Sequence, residues 1–293
     1  MCPPVLLREH RPFYGAGVLA CAQGDYAEAR SHLEESLSLR KEANDARGAV
    51  ASLSHLAQVA VILGQLASAA ECLDESLGIA RRLGDQRTLA VVLANLGALA
   101  VTNEQLGRAA ELFEESLRLF RQLGDSRNIG TVLNNLGFVA FKRHDLDRAT
   151  TLLEESLASM RQLGDHERVG DALVNLGQVA LSQGDAERAL TFGRECLLLR
   201  REMGQKGLLA EVIVLLARVA AVQAHPEKAA RLLGTVETLT ETTGSVGAQG
   251  DQANTDRAIA ALRAELSESA FQVLRQEGRA LSLEQAIHEA LAG

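Results

Sequence analysis

The chain contains no tryptophan, and its aromatic residues amount to only 3% of the sequence. Its core is therefore built from Leu, Ala and Val. Cysteine is sparse: Cys2, Cys21, Cys72 and Cys196 lie far apart and form no CxxC pair. That scatter points to a reduced, cytoplasmic protein. Basic residues are outnumbered, with 30 Lys plus Arg against 38 Asp plus Glu and a net charge of -8. Direct nucleic-acid binding is not expected, because phosphate contacts need a basic field. Long apolar runs are missing as well. The richest one, Leu208 to Val222, is interrupted by Glu211 and Arg218 and falls short of the roughly 20 residues of a membrane span. The opening Met1-Cys2-Pro3-Pro4 has neither the basic nor the apolar region of a signal peptide, and no membrane partner is expected.

What is present is a chain of 293 residues, 47% of them hydrophobic, long enough for a buried core in one or two domains. Self-comparison reveals how it is organised. LGRAAELFEESLRLFRQLGD, residues 106 to 125, aligns with LDRATTLLEESLASMRQLGD, residues 146 to 165, at an offset of 40. The same offset reaches LASAAECLDESLGIARRLGD from Leu66 and the weaker AERALTFGRECLLLRREMGQ from Ala186. Between them stand LANLGALA from Leu93, LNNLGFVA from Leu133 and LVNLGQVA from Leu173. Ala29, Ala69, Ala109, Ala149, Ala189 and Ala229 share one register, which makes six copies.

Each copy reads as two helices. Leu89, Leu93, Leu96 and Ala100 recur at helical spacing, and so do Ala109, Leu112, Phe113 and Leu117. The punctuation agrees. Gly84, Gly124 and Gly164 stand where a helix ends in a left-handed residue, and Asp85, Asp125 and Asp165 follow as N-caps. Gly24-Asp25 and Gly184-Asp185 form the alternate turn, Asp25 with Glu28 offers a capping box, and Pro226 fits a first helical position. Helices of about 17 residues joined by such short turns pack as antiparallel neighbours.

Residues that could carry chemistry are accounted for by the architecture. The histidines (His10, His32, His55, His144, His166, His225 and His288) form no HExxH and have no cysteine partners at ligand spacing, so no metal is expected. Glu34-Glu35, Asp74-Glu75, Glu114-Glu115 and Glu154-Glu155 recur with the repeat and read as a solvated face. Ser36, Ser76, Ser116 and Ser156 read as a tight small-residue slot. No GxGxxG context and no GxxxxGK[ST] loop occurs. No enzyme and no cofactor is expected.

The pattern resembles the tetratricopeptide repeat (TPR). The W-x2-L-G-x2-Y, A-x3-F scheme of that family appears as Leu93, Leu96-Gly97, Ala100, Ala109 and Phe113, and again as Leu133, Leu136-Gly137, Ala140, Ala149 and Leu153. Trp and Tyr are replaced by Leu and Ala, and the period is 40 where the family uses 34. Gly97 and Ala109 are small enough for paired helices to approach, with Leu96 and Phe113 filling the seam. The resemblance implies an all-α, right-handed superhelical solenoid of six helix pairs over residues 1–243. After Thr243 the period fails. A loop is expected over 244–255, followed by short helices near 256–266, 268–278 and 283–292, with Ser282 and Gln285 as a capping box for the last. These residues, 244–293, read as a helical cap on the final repeat.

The stretches PEKAARLLGTVETLTETTG from Pro226, RAIAALRAEL from Arg257 and EGRALSLEQAIHEALA from Glu277 resemble the end of the TPR region of bacterial LuxR-type, ATPase-containing transcriptional regulators. Arg outnumbers Lys 26 to 4, which fits a high-GC bacterial source. The resemblance implies a sensor or scaffold in signal transduction, with an ATPase or helix-turn-helix protein as partner, either standing alone or as part of a longer regulator. The first helices of successive pairs would line a concave groove for a protein or peptide. Carrying the groove positions over gives Val91, Ala94, Ala98, Val101 and Thr102, then Thr131, Asn134, Phe138, Phe141 and Lys142, then Asp171, Val174, Gln178, Leu181 and Ser182. Phe138 and Phe141 are expected to be exposed there. Beside them run Asn95, Asn135 and Asn175, whose amides could clamp a peptide backbone or satisfy carbonyls inside the solenoid. A stand-alone adaptor, and a small-molecule receptor with a pocket closed by residues 244–255, are the alternative functions.

Overall fold

The computed structural model describes the backbone of residues 6–243 and 252–292, and the side chains of residues 12–243 and 255–292. All regular structure among them is α-helical, in two compact units, Met1–Arg143 and His144–Gly293. The first unit holds α1 (Leu6–Gln23), α2 (Tyr26–Glu42), α3 (Ala46–Ile62), α4 (Leu66–Leu83), α5 (Gln86–Thr102), α6 (Leu106–Leu123) and α7 (Ser126–Lys142). The second holds α8 (Leu146–Leu163), α9 (His166–Ser182), α10 (Ala186–Glu202), α11 (Lys206–Val222), α12 (Pro226–Thr243), α13 (Gln252–Leu266), α14 (Glu268–Ala280) and α15 (Leu283–Leu291). Each unit is a stack of helix pairs, α1 on α2, α3 on α4 and α5 on α6 in the first, and α9 on α10 and α11 on α12 in the second.

The turns keep time with the sequence repeat. Every twentieth residue from Gly24 to Ala224 has a positive φ, the conformation that stops one helix and turns the chain into the next. Seven of these positions are glycine, as the turn chemistry predicts. At the other four, Asn44, Glu104, His144 and Ala224, a residue with a Cβ is held in the same conformation, with φ between 53° and 61°. Aspartates then cap most of the following helices. The Asp45 carboxylate accepts from the Gly48 N–H at 2.9 Å and that of Asp185 from the Arg188 N–H at 3.0 Å. Asp25 caps α2 through the Glu28 N–H at 3.1 Å, but the reciprocal half of the expected box is not made. The Asp25 N–H already donates to the Ala20 carbonyl, and the Glu28 carboxylate meets His32.

The alanine register is the spine of the stack: Ala29, Ala69, Ala109, Ala149, Ala189 and Ala229 are all fully buried. Glycine serves the same purpose in the facing helix, where a Cβ on Gly97 would stand 2.7 Å from the Phe113 ring. The serine slot is buried throughout, and the Ser116 hydroxyl donates to the Ala90 carbonyl at 2.7 Å. Cys196 takes this slot in α10, its thiol facing the Gly170 carbonyl at 3.3 Å, and burial pushes its pKa up to about 12. The paired carboxylates at 34–35, 74–75, 114–115 and 154–155 are all exposed.

In the second unit, α14 packs along α12, with Gly234 facing the Arg275 backbone and Gly278 facing the Arg231 backbone. Neither site has room for a side chain. Thr235 donates to the Gly278 carbonyl at 3.0 Å, Arg279 pairs with Glu237 and Glu241, and Arg231 pairs with Glu289. Ser282 and Gln285 form the capping box of α15. The loop expected over 244–255 lies outside the described residues as far as 251. From Gln252 the chain is already helical, since no Gly or Pro follows Asp251 to stop a helix extending backwards. No helix among the described residues is long and apolar enough to cross a membrane.

Candidate functional site

The inner faces of α1, α3 and α5 enclose a groove of about 750 Å³ within the first unit. Its apolar surface comes from Val50, Ala51, Val61, Ile62, Val91 and Ala98, its polar surface from Tyr14, Ser54, His55, Gln58, Thr88, Asn95 and Thr102, with Arg47 and Arg87 as its charges. The groove exists because the register that faces inward carries small residues. Ala51, Ser54 and Ala98 stop short of the space that longer side chains would fill.

The wall behind Tyr14 is fixed. The Arg40 guanidinium stacks on the Tyr14 ring at 4.3 Å and donates to the Gly48 carbonyl at 2.7 Å and the Ser52 hydroxyl at 2.9 Å. Burial raises the Tyr14 pKa against the pull of Arg40, and burial lowers that of Arg40 against the pull of Asp45. His55 meets Tyr14 edge-on, with ring centroids 5.2 Å apart. Its Nδ1 lies 3.2 Å from the Tyr14 oxygen and 3.1 Å from the Ala51 carbonyl. Nδ1 donates to the Ala51 carbonyl in one tautomer and accepts from the Tyr14 hydroxyl in the other. The Ser54 hydroxyl oxygen is buried and has no hydrogen-bond partner among the described residues.

Along one edge, helix caps double as anchors for arginines. Arg47 Nε pairs with Asp85 at 2.8 Å and one Arg87 Nη with Asp125 at 2.6 Å. The Thr88 hydroxyl, outweighing burial and joined by Arg47 and two backbone N–H groups, holds the Asp85 carboxyl below the usual carboxylate range. Burial pushes Asp125 up, but the Asn128 side chain and backbone together with Arg87 bring it below that range.

The second unit has its own buried charge. Arg200, in the register of Arg40, is 1% exposed and donates to the Leu208 carbonyl at 2.8 Å, to Asp171 at 3.0 Å and to Glu211 at 3.1 Å. Burial raises the Asp171 pKa, with Glu211 adding to it, in spite of Arg200. Among the described residues no group of His, Cys, Asp and Glu could hold a metal ion.

Of the candidate residues read from the sequence, Asn95 lines this groove, beside Val91, Ala98 and Thr102. Asn134, Asn135, Phe138 and Lys142 stand on α7, where the Lys142 Nζ lies 6.0 Å from the Phe138 ring centre. Asn175 stands on α9 in the second unit. The exposure expected of Phe141 is not found: it is 7% exposed, since the end of α7 is covered at Val139, Ala140 and Phe141 alike. Gln178 is also buried, at 3%, because α9 is covered around most of its circumference. Sequence reasoning missed Tyr14, Arg47, Arg87 and the entire second copy. The signal was available: subtracting 40 from the third-copy positions gives Ala51, Ser54, Gln58, Val61 and Ile62, all of which line the groove, and subtracting 40 from Asn95 gives His55. Residues 244–251, expected to close a pocket, lie outside the described residues.

The model of a family described as the MalT-like TPR region matches residues 16–206. No curated protein matches the chain. Among solved structures, BtubC from P. vanneervenii is similar at 22% identity with a TM-score of 0.61, over 78% of this chain and 94% of that one. The Rap conjugation gene regulator of the plasmid pLS20, in complex with the Phr* peptide, matches at 15% identity and a TM-score of 0.64, over 95% of this chain and 78% of that one. A signal transduction ATPase with numerous domains and a TPR sensor, from Pyrococcus horikoshii, matches at 14% identity and a TM-score of 0.64. That match covers 94% of this chain and 45% of the ATPase, so the chain spans under half of that protein's length. At these identities the likeness is one of fold.

Proposed function

Since this chain belongs to the MalT-like TPR region family, we propose that it is a non-catalytic protein- or peptide-binding module whose inner helix faces take an extended polypeptide. The observation that carries the proposal is the groove on α1, α3 and α5. It is concave and mostly apolar, with a few converging polar groups, which is the usual make-up of a binding site. The Asn95 amide and the His55 ring, one register apart, offer hydrogen-bonding groups to a peptide backbone. We further propose that the module is the sensor or scaffold part of a bacterial signalling or transcriptional regulator, acting with an ATPase or helix-turn-helix partner. The similar fold of a TPR sensor in a signal transduction ATPase, and of a regulator solved with a peptide, supports that reading. The mechanism would be differential binding: a ligand that prefers one arrangement of α3 against α5 shifts the population toward it.

The test is selection of displayed random peptides on the full chain, followed by affinity measurement on a groove-filling Ala51→Phe/Ala98→Phe variant. Selected peptides are expected to lose at least tenfold in affinity while circular dichroism stays unchanged. Unchanged affinity would remove the groove as the site. The asparagine register has its own arm. Asn95→Ala is expected to cost about 1 kcal/mol of binding, and the same loss in Asn135→Ala and Asn175→Ala would extend the site along the register.

The groove's volume lies within the range of about 300–1,000 Å³ that encloses small ligands, and this favours a small-molecule receptor as the second reading. Selections that yield no peptide, together with thermal stabilisation by a small metabolite that the groove-filling variant abolishes, would establish it.

A further inference from the structure

Charge is distributed unevenly in this acidic chain. It carries 38 Asp and Glu, yet α3, α5 and α7 contain none, and their charged residues are Arg47, Arg87, Arg127 and Lys142. The groove lining repeats the pattern, with two arginines and no carboxylate. Both arginine side chains are well exposed, 74% for Arg47 and 66% for Arg87. Each is held by its aspartate through one nitrogen, so most of the five donors of each guanidinium remain for a ligand. An anchored guanidinium loses less freedom on binding an anion than a loose side chain does. The rest of the lining is apolar or neutral. An occupant that satisfies this surface needs apolar side chains for Val50, Val61, Ile62 and Val91, and an anionic oxygen for the arginine edge.

Resting on the peptide-binding reading above, we infer that the groove of the first unit selects short extended peptides in which a carboxylate accompanies apolar side chains. The carboxylate meets Arg47 and Arg87, the apolar side chains lie on α3 and α5, and the backbone meets Asn95 and His55. A basic peptide is disfavoured, because the lining holds no carboxylate and the nearby Asp85 and Asp125 are already paired with the two arginines.

The test uses the full chain and three matched pools of acetylated pentapeptides of Ala, Val and Leu: one with a single Asp, one with Asn in its place, and one with Lys. Affinity selection followed by fluorescence anisotropy is expected to show the Asp pool binding at least tenfold more tightly than the Asn pool, with no retention of the Lys pool. The preference is expected to weaken at high salt. Arg47→Gln/Arg87→Gln is expected to erase the Asp-over-Asn preference. Those substitutions also leave the Asp85 and Asp125 carboxylates without their arginine partners, so a second variant keeps both arginines. Ala98→Glu, at an exposed position, supplies the missing carboxylate and is expected to turn the preference toward Lys. Equal binding of the Asp and Asn pools by the native chain would overturn the inference and leave the peptide-binding reading standing. Failure of all three pools would sink both. Displacement of the Asp pool by hexanoate at the same concentration as by the peptide itself would overturn the choice of a peptide in favour of a small organic acid.

Discussion

In the first unit Arg40 stacks on the Tyr14 ring, and Ala51 leaves the inner face beside it open as part of a groove. In the second unit Arg200, 160 residues on in the same register, is gripped by Asp171 and by Glu211, which stands where Ala51 stands in the first. Both arginines donate to the carbonyl eight residues ahead. Around that shared feature the outcomes diverge: α3 and α5 keep an open face, whereas Gln178 and Arg218 are buried and α13 and α15 pack against α11. A repeat therefore sets where a side chain points without setting whether space remains beyond it. At this register position Ala51 borders an opening, whereas Glu211 joins Asp171 in holding a buried arginine.

The largest expected effect tests the two arginines directly. Arg200→Met strands two carboxylates beside each other and should cost about 3–5 kcal/mol. Arg40→Met mainly leaves the Gly48 carbonyl and Ser52 hydroxyl short of a donor and should cost about 1–3 kcal/mol. Urea unfolding of both variants measures this, and a larger loss at Arg40 would break the comparison. Next comes the seam both units share. Leu96→Ala should cost about 2–5 kcal/mol through lost packing and a residual cavity, and Gly97→Leu, driven into Phe113, about 1–3 kcal/mol.

Acid should divide the units. The folded pKa values of Asp85 and Asp125 are depressed, so their stabilisation is present above the ordinary Asp value of about 3.9 and is lost as pH falls through the folded values. Asp171 is shifted the other way. Its raised folded value makes protonation favour the native state, so its environment becomes less costly as pH falls. Hydrogen exchange between pH 7 and 3 should open α5 and α7 before α9; the reverse order would count against the assignment. Smaller still, Ala51→Glu places the Glu211 carboxylate in the first unit and should stabilise it by at most about 1 kcal/mol while weakening peptide binding. The smallest effect comes from the turns. Glu104→Gly and Ala224→Gly relieve a left-handed residue with a Cβ and should each gain about 0.5–1 kcal/mol in thermal unfolding.

Much of this was legible because it is local and repeated. The alanine spine, the serine slot, the Gly-Asp turns and the Ser282–Gln285 box depend on residues three, four or forty apart, and all of these spacings can be read directly. The left-handed backbone at Glu104, His144 and Ala224 was not legible, because no residue there asks for it. The antiparallel pairing of two full-length helices imposes that turn whatever side chain occupies it. Phe141 and Gln178 were placed on the correct helices with the wrong exposure, since burial depends on what covers a face and not on the face itself.

The sequence by itself determined the helices, their lengths, their turns and the small-residue seam that lets them pair, since periodicity and caps act within a few residues of where they are written. Only the tertiary structure decided that Ala51 and Ala98 border a groove while Glu211 closes an ion pair, that anchored arginines edge that groove, and that α14 lies glycine-to-backbone on α12. Those outcomes rest on how much volume is left between side chains brought together from forty or more residues apart, and volume belongs to the packed assembly of helices.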